Sequence, residues 1–177
     1  MQPSSWVTRF SNLIDGGSSV LDLACGGGRH GRLFLDKGCD VWFVDQNMGK
    51  LADLEGHAKA RLVLKNLEEE GADWSFEDNA FDVIVVTNYL YRPHLADMLK
   101  SLKPDGVFIY ETFGAGNEQF GRPRRADFLL QPGELLSVVQ NRLSVVAYEH
   151  GIDGEKVVQR ICAVKEGDKT APYGLNV

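Results

Sequence analysis

The chain has 177 residues, 44% of them hydrophobic and 25% charged, which excludes a disordered, collagenous or membrane-spanning polypeptide. Lys and Arg number 19 against 25 Asp and Glu, a net charge of −6 that argues against a broad nucleic-acid surface. At this length roughly 70% of the unfolded surface can be buried, so one domain over 1–177 needs no disulfide or metal staple. Cys25, Cys39 and Cys162 are odd in number and lack CxxC spacing, and the start Met1-Gln2-Pro3-Ser4-Ser5-Trp6 lacks a signal-peptide pattern. A reducing, cytoplasmic setting without a membrane is expected.

In chain order, Ser4 or Ser5 caps a short helix carrying Trp6, Phe10, Leu13 and Ile14, which Gly16-Gly17 stops. Residues 1–17 are thus an N-terminal helical segment. Ser19–Ala24 reads as a buried strand, broken by Cys25-Gly26-Gly27-Gly28. A helix with Leu33, Phe34 and Leu35 inside comes next, ending at Gly38. Val41–Val44 is a second strand closed by Asp45, then Leu51 and Leu54 mark a second helix ending near Gly56. Arg61–Leu64 and Phe81–Val86 are the third and fourth strands. Leu95, Met98, Leu99 and Leu102 form a helical stripe ending at Lys103-Pro104, and Val107–Tyr110 is the fifth strand. The alternation predicts an α/β fold with a mostly parallel sheet and helices on both faces. Residues 114–127 are polar and glycine-rich with little periodicity. A helix from Pro132 precedes two strands, 143–148 and 157–164, joined through Asp153-Gly154 as an antiparallel hairpin. The tail 167–177 is expected to be loosely attached.

The junction of first strand and first helix is the ligand site of doubly wound sheets. Gly26-x-Gly28-x-x-Gly31 also matches the dinucleotide fingerprint, a weak signal alone and equally readable as a tight turn. Asp22 inside the strand is costly without a partner and would repel a pyrophosphate, but suits an ammonium or sulfonium. Asp45 at the second strand's end can accept both ribose hydroxyls or cap a helix starting at Gln46-Asn47. A nicotinamide-dependent oxidoreductase and a non-catalytic binding module remain the alternatives.

Val20-Leu21-Asp22-Leu23-Ala24-Cys25-Gly26-Gly27-Gly28-Arg29 resembles motif I of class I S-adenosylmethionine-dependent methyltransferases. Asp45, Phe81–Asn88 and Leu102-Lys103-Pro104-Asp105-Gly106-Val107 match further motifs of that family, and Asp105 replaces a usual glycine. The likeness covers about residues 18–165 and is closest to small, single-domain tellurite-resistance-like members. It implies a Rossmann-like seven-stranded sheet with a reversed C-terminal strand and S-adenosyl-L-methionine as cofactor. By the same resemblance Ala24, Cys25, Gly26 and Gly28 pack against the methionine and ribose, and Asp22 lies near the amino group. Asp45 holds the ribose, Gln46 flanks the adenine, Asn66 and Leu67 approach its edge, and Asn88 nears the methionine end. Asn66 stands where many members carry Asp, and an amide can still bond an adenine.

Methyl transfer from a sulfonium requires alignment and desolvation, with no metal or covalent nucleophile. Acceptor-side candidates lie just past the fourth strand and at the end of the fifth: Tyr89 to wall the methyl channel, Arg92 to bind an anion, Glu111 to polarise a nucleophile. Each is equally readable as packing or an ion pair. Residues 113–125, with Arg122, Arg124 and Arg125, are expected to form a lid over the acceptor. A small-molecule acceptor is expected, with RNA or protein acceptors open and the oligomeric state undetermined. The four histidines are unclustered, against a metal site, and His30 reads as a packed residue.

Overall fold

The computed structural model describes residues 2–69 and 72–167, so the tail predicted at 167–177 lies, beyond its first residue, outside the described residues. Seven strands form one sheet in the order β3-β2-β1-β4-β5-β7-β6. They are β1 (Ser19–Leu23), β2 (Asp40–Asp45), β3 (Ala60–Leu64), β4 (Phe81–Thr87), β5 (Leu102–Phe113), β6 (Leu143–Ile152) and β7 (Val157–Lys165). The first five run parallel. β7 is antiparallel to both of its neighbours, β5 and β6, so the expected reversed strand is the last one. Its hairpin turns at Gly154, whose φ of +62° a side chain would strain.

The period of two explains why both faces are covered. Successive strand residues point to opposite sides, so Leu21 and Leu23 face one way and Val20 the other. Ile84 and Val86 join the first set, where α3 (Leu95–Ser101) and α4 (Glu134–Val139) add Met98, Leu99, Leu135 and Val139. Val83 and Val85 join the second, against Trp6, Val7 and Phe10 of α1 (Ser5–Phe10) and Phe34 of α2 (Arg29–Asp36). Ser4 caps α1 by accepting the Trp6 N–H. Asp22 shares the parity of Val20 and is therefore buried beneath α2, 1% exposed.

Three local expectations are corrected. The Leu51/Leu54 segment is a 3-10 helix, Gly49–Leu54, with Leu51 N–H donating to Met48 C=O. Six residues between a glycine at each end are too few to propagate an α-helix. Leu102 begins β5 instead of ending α3, because Pro104 cannot donate and would clash with the carbonyl four residues earlier. Of the three residues expected inside from α2 only Phe34 is buried, while Leu33 and Leu35 are half-buried on its flanks. Asp105 takes φ +62°, a left-handed conformation its short polar side chain tolerates.

Residues 114–128 are more anchored than their composition suggests. Gly114 bridges Leu130, and short 3-10 turns form at Asn117–Gln119 and Ala126–Phe128. The buried Asn117 side chain donates to Pro123 C=O and accepts from Val157 N–H.

Candidate functional site

The loop after β1 packs so closely that two positions exclude a side chain. A Cβ on Gly31 would lie 2.2 Å from the Phe43 ring, and one on Gly28 would lie 2.6 Å from Leu51 Cδ2. These glycines thus set the approach of α2 to β2. The same approach brings Gly31 N–H to Asp22 Oδ2 at 2.8 Å. Burial raises the Asp22 carboxyl to about 7, opposed by the Gly31 N–H and the Arg29 charge. Burial, Asp22 and Asp45 together push the Cys25 thiol well up, which leaves it an unreactive packing residue.

Asp45 ends β2 with its carboxylate turned back to the loop. Oδ2 accepts from Gly26 N–H at 2.8 Å and Oδ1 from Asn47 N–H at 2.9 Å. Beside it opens a cleft of about 140 Å³ along the C-terminal ends of β1, β2, β3 and β4. Ala24, Val44, Asp45 and Gln46 form one side. Lys65, Asn66, Leu67 and Glu68, from the exit of β3, form the other, and Tyr89 closes the end. Five residues predicted as one site from three separate segments, Ala24, Asp45, Gln46, Asn66 and Leu67, therefore meet in one cavity. Asn66 Oδ1 accepts from Glu68 N–H at 3.1 Å, which leaves its amide nitrogen to donate. Among the described residues, Tyr89 Oη is the one buried side-chain polar atom without a partner. Burial, then Glu68, raises its phenol well above the usual range.

The trench continues toward β5. A second cleft of about 260 Å³ shares Glu68 and Tyr89 with the first and adds Asn88, Leu90, Thr112, Phe113, Pro123 and Phe128. A third, also about 260 Å³, shares Asn88 and Phe113 and adds Ser4, Ser5, Arg29, Glu111, Asp153 and Lys156. Asn88 sits at φ +54° in the turn that joins them, held where Tyr110 Oη donates to Tyr89 C=O at 2.7 Å.

Other predicted residues lie elsewhere. Asp22, Cys25, Gly26 and Gly28 shape the loop from behind and do not line these clefts. Arg92, expected as an anion binder, is occupied by its own fold: it donates to both Glu134 oxygens at 2.7 and 3.0 Å and to the Asp127 and Leu129 carbonyls. Arg92→Ala is accordingly expected to cost about 2 kcal/mol of stability for a half-exposed bidentate pair. Its affinity for S-adenosylhomocysteine should stay unchanged in titration calorimetry. Glu111 reaches the third cleft, but Arg160 lies 3.4 Å away and Ser4 Oγ donates to it at 2.9 Å. His30 is buried, its Nε2 accepting from Ser4 N–H and its Nδ1 3.3 Å from Thr87 Oγ1. Sequence reasoning missed Val44, Lys65 and Phe128. Val44 was readable as the apolar residue before Asp45, whereas Lys65 and Phe128 carry no local signal.

The cleft fits an adenosyl cofactor: apolar walls at Ala24, Val44 and Leu67 flank a carboxylate, two amides and an unpaired phenol. Residues 20–106 match the methyltransferase domain family. No curated protein matches the chain in sequence. Among solved structures, the TehB-like S-adenosylmethionine-dependent methyltransferase of Corynebacterium glutamicum is 23% identical, with 90% of this chain and 86% of that one covered at a TM-score of 0.63. The 1,6-didemethyltoxoflavin-N1-methyltransferase of Burkholderia thailandensis, with its substrate and S-adenosylhomocysteine bound, is 20% identical over 90% and 75%, TM-score 0.66. A methyltransferase of Methanosarcina mazei is 15% identical over 95% and 100%, TM-score 0.69.

The chain has the fold of the class I S-adenosylmethionine-dependent methyltransferases, and its residues 20–106 carry the methyltransferase domain match. The matched domain is that of a methyltransferase, and the fold is shared with enzymes whose cofactor is S-adenosylmethionine. Among the described residues no helix is long and apolar enough to cross a membrane, and no His, Cys, Asp and Glu group is placed to hold a metal.

Proposed function

We propose that the chain methylates a small-molecule acceptor by direct displacement, with cofactor and acceptor lying end to end along the trench. The observation that carries this reading is the continuity of the clefts, which share Glu68 and Tyr89, then Asn88 and Phe113. The sulfonium supplies the activated methyl carbon; its C–S bond breaks as the acceptor's bond forms, and the acceptor's proton is released. The residues position and dehydrate that exchange. In this reading Asp45 holds the ribose hydroxyls, Gln46 flanks the adenine, and the Asn66 amide nitrogen donates to it beside Leu67. Ala24 packs against the sugar and methionine. Asp22 acts from beneath, fixing α2 and hence the glycine loop. Asn88 and Tyr89 stand at the passage between cofactor and acceptor. Support for a small acceptor comes from cleft size and from the Burkholderia protein of the same fold, which acts on 1,6-didemethyltoxoflavin.

Thermal unfolding with S-adenosylhomocysteine, S-adenosylmethionine and NADH in parallel tests the cofactor. At a hundred times its dissociation constant a ligand adds about 2.7 kcal/mol, a shift of roughly 5–11 °C at this chain length. The adenosyl ligands should shift the midpoint and NADH should not. Radiolabel from the methyl group should then appear in the low-molecular-weight fraction of a cell extract; label confined to RNA or protein overturns the small-acceptor reading.

A further inference from the structure

The acceptor half of the trench has two chambers of opposite chemistry, and this difference identifies a ligand class. The inner chamber is walled by Tyr89, Leu90, Phe113 and Phe128. The outer one is polar and brings Arg29 and Lys156 to its surface. Its two carboxylates share Arg160 with Glu149: Arg160 Nη1 lies 3.4 Å from Glu111 and 3.2 Å from Asp153, its Nη2 lies 2.6 Å from Glu149, and Arg9 also meets Glu149 at 3.4 Å. Lys156 is left 3.8 Å from Asp153, a loose contact with a carboxylate that Arg160 holds more closely. Among the described residues Arg29 forms no ion pair, and its side chain donates to Gln2 C=O at 3.3 Å. With Arg9, Arg160, Arg29 and Lys156 set against Glu111, Glu149 and Asp153, this face holds one cation more than its carboxylates, beside a chamber that opens past Phe113 onto aromatic walls. Arg92, the arginine whose position after β4 suggested anion binding, is closed to this role by Glu134.

We propose that this two-chamber site takes an amphipathic organic anion, with an aromatic or otherwise apolar body against Phe113 and Phe128 and a carboxylate or phosphate on Arg29 and Lys156. The assignment rests on the small-molecule reading above and supplies the acceptor's class. Apolar walls select the body by area removed from water. The guanidinium and ammonium select the head by charge-assisted hydrogen bonds, strongest where water is excluded.

The test uses the full chain saturated with S-adenosylhomocysteine and three probes measured by calorimetry: 2-naphthoate, 2-naphthamide and inorganic phosphate. Naphthoate should bind about tenfold or more tighter than either naphthamide or phosphate, as one charge-assisted contact predicts. The Arg29→Gln/Lys156→Gln variant should erase the preference for naphthoate over naphthamide, and Phe128→Ala should weaken both naphthyl probes alike. Both variants should keep S-adenosylhomocysteine affinity. Equal binding of naphthoate and naphthamide, a preference that survives the double variant, phosphate binding as tightly as naphthoate, or no naphthyl binding at all would each overturn the site. S-adenosylhomocysteine is titrated first: its failure to bind counts against the methyl-transfer reading, whereas its binding without a naphthoate preference counts against the two-chamber site alone.

Discussion

Asp45→Ala is expected to raise the dissociation constant for S-adenosylhomocysteine by about 100-fold. In the proposed complex the carboxylate accepts from two ribose hydroxyls, and hydrogen bonds to a charged acceptor contribute about 1.5 kcal/mol or more each. Two such bonds give about 3 kcal/mol, where 1.4 kcal/mol is tenfold. The substitution also frees Gly26 N–H and Asn47 N–H, but both bonds are exposed to water and can be replaced by it. The unfolding midpoint should therefore move little while affinity collapses. Asp45→Asn keeps one acceptor oxygen and turns an amide N–H toward a backbone donor, so it should fall between, at about a tenfold loss. Calorimetry decides the matter: affinity within twofold of the native chain in Asp45→Ala would remove Asp45 from the cofactor site.

The strands were legible because burial on both faces leaves continuous apolar runs that no exposed helix carries. Phe81–Thr87 is such a run, and its register with β1 and β5 gives it a central place. Boundaries were legible where one residue enforces them, as Gly38 does after α2, whereas α3 stops at Ser101, ahead of Pro104. The segment at Leu51 and Leu54 was read as α-helical because two leucines three apart satisfy either helix type; only its shortness between Gly49 and Gly56 decides for 3-10. Leu33 and Leu35 misled because α2 lies so close to Phe43 that its buried stripe narrows to His30, Gly31 and Phe34.

The cofactor side was legible mainly through the family resemblance. Asp45 was readable from its place at a strand end, and the family resemblance supplied Ala24, Gln46, Asn66 and Leu67; they meet because residues just past the strand ends converge in an open parallel sheet. The acceptor side was not. Whether Arg92 faces a ligand depends on Glu134, 42 residues later, and whether Glu111 is free depends on Arg160, 49 residues later. Such pairings arise from tertiary packing, and neither partner marks itself locally. Asp22 falls between these cases. Its place beside the loop was readable, but its parity with Val20 turns it under α2 and away from the cleft.

That burial gives the second large effect, a pair of opposed pH dependences beneath one helix. Asp22 is raised by desolvation from 3.8 to about 7, so the folded chain binds its proton more tightly than the unfolded chain does. Its stabilising contribution is full below about pH 4 and is lost as pH rises through 7, about 4 kcal/mol for three units. His30 is lowered by desolvation, then by Arg29, from 6.5 to about 4. Its contribution is full above about pH 6.5 and is lost as pH falls toward 4, about 3 kcal/mol. The geometry agrees, since Nε2 can accept the Ser4 N–H only while that nitrogen is unprotonated. Across pH 4.5–6.5 the two slopes nearly cancel, and each substitution exposes the other. Asp22→Asn retains an oxygen for Gly31 N–H, and its stability should rise by about 2 kcal/mol or more from pH 4.5 to 6.5. His30→Gln retains an acceptor for Ser4, and its stability should fall over the same interval by a similar amount. Urea midpoints at four pH values read both slopes; profiles that run parallel in the native chain and the two variants would mean that neither group titrates as its burial requires.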